Sequence, residues 1–101
     1  MTDEYQLINE IERARQAQEL IEHPLFVEAF ETYRERLMKE WADSPARDTD
    51  GREKLWLMTK LLNGVENHLK ELMQTGKLAS LQLEQKRTLA QRLKLVAQGW
   101  Q

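Results

Sequence analysis

The 101-residue chain has no cysteine, only two prolines and four glycines, and no long apolar run. Without cysteine there can be no disulfide scaffold, no thiol nucleophile and no zinc site built on thiolates. The longest uninterrupted apolar stretch is Leu55-Trp56-Leu57-Met58, far short of the roughly 20 residues that span a bilayer. The first residues, Met1-Thr2-Asp3-Glu4, are acidic, where a secretory signal would be basic. These absences read as a soluble, non-secreted, cytoplasmic protein with no membrane partner. Glycine-rich phosphate loops, a nucleophile elbow and the zinc-protease helix are also missing. The many carboxylates fall on polar helix faces, with no apolar neighbours to raise their pKa into the range of a general acid. The sequence therefore predicts no enzyme, no catalytic residue, no cofactor and no small-molecule substrate.

The two histidines do not change this. Glu19 stands four residues before His23, and Glu71 three after His68. A ferritin-like metal motif needs glutamate three residues before the histidine, and Val65 occupies that place before His68. No metal is expected. His23 is expected to cap a helix ahead of Pro24, and His68 to be a solvated surface residue.

What the chain does contain is helical periodicity. It is 41% hydrophobic and 32% charged, the composition of one folded domain, which at this length buries about 65% of its unfolded surface and is marginal without a partner. Four segments are expected, divided at proline and glycine. The first runs from about Asp3 to Glu22, with apolar positions at Leu7, Ile8, Ile11, Ala14 and Ile21, Asp3 or Thr2 as N-cap, and a thin polar middle. The second, from Pro24 to about Ala42, carries Phe26, Phe30, Tyr33, Leu37 and Trp41 on one face and Glu28, Glu31, Arg34, Glu35, Lys39 and Glu40 on the other. Residues 43–51 gather turn formers and should make the corner of a helical hairpin. That corner is either closed by local ion pairs and a cap or offers Arg47 and Arg52 to a partner.

The third segment is expected to open on Asp50 with Glu53 at capping-box spacing and to stop at Gly76. Leu55, Met58, Leu62, Val65, Leu69 and Leu72 recur at spacings of three and four, the seam of an antiparallel helix pair or a short coiled coil. Trp56, Leu57 and Leu61 lie off that seam, so this stretch needs covering on more than one side, by the first helix or another subunit. Trp41 and Trp56 flank the corner and should lie at the same end. The fourth segment, with Ser80 as its cap, places Leu78, Leu89, Leu93, Val96 and Trp100 on one face, interrupted by Gln82 and Gln85. Trp100, one residue from the end, is expected to dock within the chain or on a partner.

The net charge of −2 is unevenly spread. Residues 1–76 hold 10 basic and 16 acidic side chains, giving −6, whereas residues 77–101 hold five basic and one acidic, giving +4. A basic amphipathic helix thus follows an acidic body. It can be solvated, fold back on acidic surface of its own or a neighbouring chain, or contact nucleic-acid phosphates through Lys86, Arg87, Arg92 and Lys94. A membrane-surface helix fits least, because the two glutamines break its apolar face.

The strings His23-Pro24-Leu25-Phe26, Ala29-Phe30, Trp41, Asp48-Thr49-Asp50-Gly51-Arg52-Glu53-Lys54-Leu55-Trp56 and Thr75-Gly76-Lys77-Leu78-Ala79 resemble a group of small helical proteins encoded by tailed bacteriophages and prophages. The similarity covers roughly residues 17–79 and brings no functional residue with it. It implies a phage setting, where such a protein serves as a virion component, an assembly factor or an inhibitor of a host protein.

Together these features predict an all-α fold: an antiparallel helical hairpin with an N-terminal packing helix and a C-terminal amphipathic arm. The hairpin body spans residues 1–79 and the basic helix 80–101. The expected role is a non-enzymatic interaction protein that self-associates as a homo-oligomer or docks on a larger assembly. Trp56, Leu57, Leu61, Leu89, Leu93, Val96 and Trp100 are its candidate interface. The alternatives are a small nucleic-acid-binding or regulatory protein acting through Lys86, Arg87, Arg92 and Lys94, or a phage inhibitor of a host protein.

Overall fold

The computed structural model describes residues 3–99. Among them are α1 (Glu4–Glu22), α2 (Pro24–Asp43) and α3 (Thr49–Gly99), and no strand. The fold is all-α, and its two breaks fall at the two prolines. At the first break, His23 is the extended N-cap of α2 and Pro24 its first residue. Proline suits that position because the amide it lacks would have had no helical partner. The His23 Nδ1 accepts the Leu25 N–H at 3.2 Å, which is the capping role expected for it.

Pro45 lies in the second break. Ser44 ends α2 by donating both its N–H (3.2 Å) and its hydroxyl (2.6 Å) to the Trp41 carbonyl. The cap of α3 is Asp48, not Asp50. Its carboxylate accepts the Gly51 N–H at 3.1 Å, and its carbonyl accepts the Arg52 N–H at 3.0 Å. A Cβ on Gly51 would collide with that carboxylate, so glycine at this position leaves room for the cap. Glu53 is two residues too late to complete a box. Asp3 caps α1 weakly, its Oδ1 accepting the Tyr5 N–H at 3.4 Å; Thr2, the other candidate, lies outside the described residues.

The expected stop at Gly76 and restart at Ser80 do not occur, because α3 continues through both. No proline follows Pro45. A lone glycine inside a helix costs only about 1 kcal/mol relative to alanine, against about 3 for proline. Gly76 has no positive φ and is buried, so its backbone is ordinary helix and its distinction is the missing side chain.

The chain divides into two compact units, one of Met1–Ala17 with Glu71–Gln101, the other of Gln18–Lys70. In the first, α1 lies against the later part of α3, and its partners step backwards as it advances. Glu4 reaches Arg87 at 3.5 Å, Leu7 packs with Ala79 and Leu83, with Ile11 beside them, and Glu10 and Ala14 meet Gly76. A Cβ built on Gly76 would overlap the Ala14 methyl and come within 3.0 Å of the Glu10 carbonyl oxygen. Small side chains bring the two helices close where the apolar stripe of α1 is thinnest. Ala17, also buried, belongs to the same stripe.

In the second unit the contacts between α2 and early α3 also step backwards. Arg34 donates to Glu66 at 2.6 Å and to Asn63 at 3.3 Å, while Arg52 reaches the Trp41 and Ser44 carbonyls. Leu37 is the buried centre of α2, and the Phe26 and Phe30 rings stack at 4.4 Å. The expected seam holds at Leu55, Leu62 and Leu69, which are partly covered, but not at Met58 and Val65, which are exposed. Thr59 and Glu66 take the covered positions instead. Each has its polar atoms satisfied, Thr59 by the Leu55 carbonyl at 3.0 Å and Glu66 by Arg34, with Lys70 at 3.4 Å. On α2, Arg34 is likewise more covered than Tyr33.

The hydrogen bond from Arg34 holds the Glu66 carboxyl below its ordinary value of 4.5, with Lys70 adding to the effect and partial burial opposing it. A carboxylate with a lowered folded pKa stabilises the fold when ionised. Its contribution is complete above about pH 4.5 and is lost as pH falls through the lowered value. Both side chains keep about a third of their surface in water, so the pair contributes no more than about 1 kcal/mol. Glu66→Gln is expected to remove that amount at neutral pH and to flatten the acid limb of stability, measured by urea unfolding at a series of pH values. Gly76→Ala tests the close approach of α1. Although alanine favours helix, overlap with Ala14 should destabilise the protein by about 1–3 kcal/mol. The double variant Ala14→Gly/Gly76→Ala, which moves the methyl to the other helix, should recover much of the loss.

Candidate interaction surfaces

The candidate interface residues fall into two sets, Trp56, Leu57 and Leu61 in one unit and Leu89, Leu93 and Val96 in the other. All six are exposed; Trp100 lies outside the described residues.

The first set does not form one patch. Successive helical residues point about 100° apart, so Trp56 faces one side of α3 and Leu57 and Leu61 another. Trp56 joins Trp41 at the same end of the unit, as expected from their flanking of the corner. With Leu37, Met38, Leu55 and Thr59 they line a cleft of about 290 Å³. Its walls are almost wholly carbon, yet Trp41 and Trp56 are each about half exposed. Arg52 braces this end of the unit. Its guanidinium lies 4.2 Å from the Trp41 ring centre and donates to the Trp41 carbonyl (3.2 Å), the Ser44 carbonyl (3.3 Å) and the Ser44 hydroxyl (2.9 Å). One planar cation thus satisfies late carbonyls of α2 and stacks on its last aromatic. Of the two readings of the corner, Arg52 fits the structural one. Lys60 sits 5.4 Å from the Trp56 ring centre.

Among the described residues no helix covers Leu57 and Leu61, which are exposed. Met58 and Val65, expected in the seam, are exposed as well, which widens the uncovered apolar surface of α3. Sequence periodicity missed these two, along with Met38, because it shows which residues share a stripe and not which part of a broad stripe the partner helix covers.

In the other unit, Leu89, Leu93 and Val96 share a face of α3 with exposed Leu78. Arg87 is drawn to Glu4, so one of the four candidate phosphate contacts is engaged within the chain, and Lys86 is not free either. Arg92 borders a shallow hollow with Glu84, Gln85 and Leu89. Arg87 and Lys94, seven residues apart, share one side of the helix while Lys86 and Arg92 lie on two others, so the four form no single basic patch.

Among the described residues, no group of three or more histidine, cysteine or acidic side chains is placed to hold a metal ion, and no helix is long and apolar enough to cross a membrane.

Arg52→Ala is expected to lower stability by about 1–2 kcal/mol, since it removes charge-assisted hydrogen bonds to backbone carbonyls. Arg52→Lys should restore less than half of that, because an ammonium cannot reproduce the planar fork or the stacking. Chemical denaturation followed by tryptophan fluorescence would measure both.

Comparison of the chain with models of protein families, with curated proteins and with solved structures found no match.

Proposed function

We propose that this chain is a non-enzymatic helical interaction protein that self-associates or docks on a larger assembly. The observation that carries the reading is how many large apolar side chains stay in water. Much of the exposed surface is apolar. Only Leu7, Ala17, Leu37, Ala79 and Leu83 are buried hydrophobics among the described residues, while Trp41, Trp56, Leu57, Leu61, Leu89 and Leu93 each keep 47% or more of their surface in water. Apolar surface left open in this way, at the Trp41–Trp56 cleft and along α3, supports a binding role.

The arrangement that suits this role is an antiparallel hairpin of α2 with early α3, α1 packed as an N-terminal helix, and the basic end of α3 serving as an amphipathic arm. The backward-stepping contacts described above support it. The resemblance to small phage-encoded helical proteins suggests a structural or assembly role, in the virion or in the host cytoplasm.

Multi-angle light scattering on the full chain should give a mass above 12.0 kDa that rises with concentration. A hydrophobic dye should bind in dilute solution and be displaced as the protein associates. A constant monomer mass with no dye binding would overturn the reading.

A further inference from the structure

We infer that the cleft between Trp41 and Trp56 binds a small amphipathic anion, an aromatic acid whose ring system enters between the two indoles and whose carboxylate meets the cations beside them. The ligand is held rather than turned over, and its binding does not depend on the self-association proposed above.

The body of the ligand follows from the walls. Trp41 and Ala42 of α2 and Leu55 and Trp56 of α3 stand around a space of about 290 Å³. The one hydroxyl among the lining residues, that of Thr59, is already given to the Leu55 carbonyl at 3.0 Å. A cleft of this size is at the lower end for small-molecule sites, which suits a fused pair of rings rather than a nucleotide or a long lipid chain. Two indole faces favour an aromatic body over an aliphatic one.

The head follows from the polar groups, which are donors in need of an acceptor. No carboxylate lines the cleft. The indole N–H groups of Trp41 and Trp56 have no acceptor among the described residues. Arg52 makes its three hydrogen bonds through Nη1 alone, which leaves Nε and Nη2 for another acceptor. Lys60, 5.4 Å from the Trp56 ring centre, has no acidic partner among the described residues. Arg52, Trp56 and Lys60 follow one another at spacings of four, on one side of α3, and Arg52 also lies 4.2 Å from the Trp41 ring centre. Each indole of the cleft therefore has a cation against it. The acidic side chains nearby do not cancel these charges. Glu40 and Asp43 lie about 100° or more round α2 from Trp41, and Glu53 about 100° round α3 from Arg52. An apolar cleft bordered by two cations and two indole donors is complementary to an apolar body that carries an anionic acceptor.

Naphthoate, its uncharged analogue naphthamide, and acetate are the probes. Each is titrated into the full-length protein by calorimetry and followed through the indole N–H signals in NMR spectra, assigned with Trp41→Phe and Trp56→Phe. Naphthoate should bind once per chain, shift both indole signals and bind more weakly as salt rises. Naphthamide should bind about tenfold less tightly, having lost the charge of its acceptor, and acetate should not bind measurably. Lys60→Gln should weaken naphthoate about threefold and leave naphthamide unchanged. Ala42→Leu, at an exposed position, fills the cleft and should abolish binding of both naphthalene probes while the helical circular dichroism is retained. Naphthamide binding as tightly as naphthoate overturns the anion and marks the cleft as a seat for an apolar side chain of a protein partner. Naphthoate binding that survives Ala42→Leu overturns the site, and no naphthoate binding up to millimolar concentration overturns the inference outright.

Discussion

The packing of α1 depends on a missing methyl group. With alanine at position 76, the later part of α3 could not lie as close to Glu10 and Ala14 as it does, and the small cluster of Leu7, Ala79 and Leu83 would be prised apart. Close helix contact of this sort gains dispersion over many small atom pairs rather than burial of large side chains. It allows a helix with a sparse apolar stripe to be held firmly. It also leaves the chain with a thin core, because alanine and glycine remove little surface from water. Large apolar residues elsewhere on α3 are correspondingly left outside.

The second unit reaches a similar result by a different route. There a charged pair, Arg34 with Glu66, occupies covered positions that a purely apolar reading assigns to Tyr33 and Val65. Each choice turns its helix by about one residue, or 100°. The pair is tolerated because both carboxylate oxygens of Glu66 and one guanidinium nitrogen of Arg34 have partners and part of it still reaches water. Turning the helices this way directs Met58 and Val65 outwards, where they join Leu57 and Leu61. The apolar surface on which the proposed function rests therefore follows from how the core is built.

Much of the helical framework was legible in the chain. Pro24 and Pro45 mark the two breaks because proline both lacks a donor and clashes with the preceding turn, and His23 could be read as a cap from its place before Pro24. The cap of α3 was misplaced by two residues, since Asp48 and Asp50 are chemically equivalent and only Gly51 leaves space for the Asp48 carboxylate. Gly76 was misread for a related reason. Glycine ends helices and also lets helices touch, and one sequence does not distinguish the two unless the small partner, here Ala14, is matched to it. The candidate interface was readable as a set of apolar residues too numerous for one small core. Its division between a tryptophan cleft and an outer face of α3 was not, because neighbouring residues on a helix diverge in direction.

The sequence by itself determined that the protein is helical, where proline interrupts it, that its charge is split between an acidic body and a basic end, and that it lacks the residues for thiol or zinc–thiolate chemistry. These follow from local rules of backbone geometry, periodicity and side-chain inventory. Only the tertiary structure decided that α3 runs unbroken through Gly76, that Arg34 and Glu66 turn inwards while Val65 turns out, and that Trp41 and Trp56 face one cleft. Each of those depends on which side of a helix meets its neighbour, a relation between distant residues that no local rule contains.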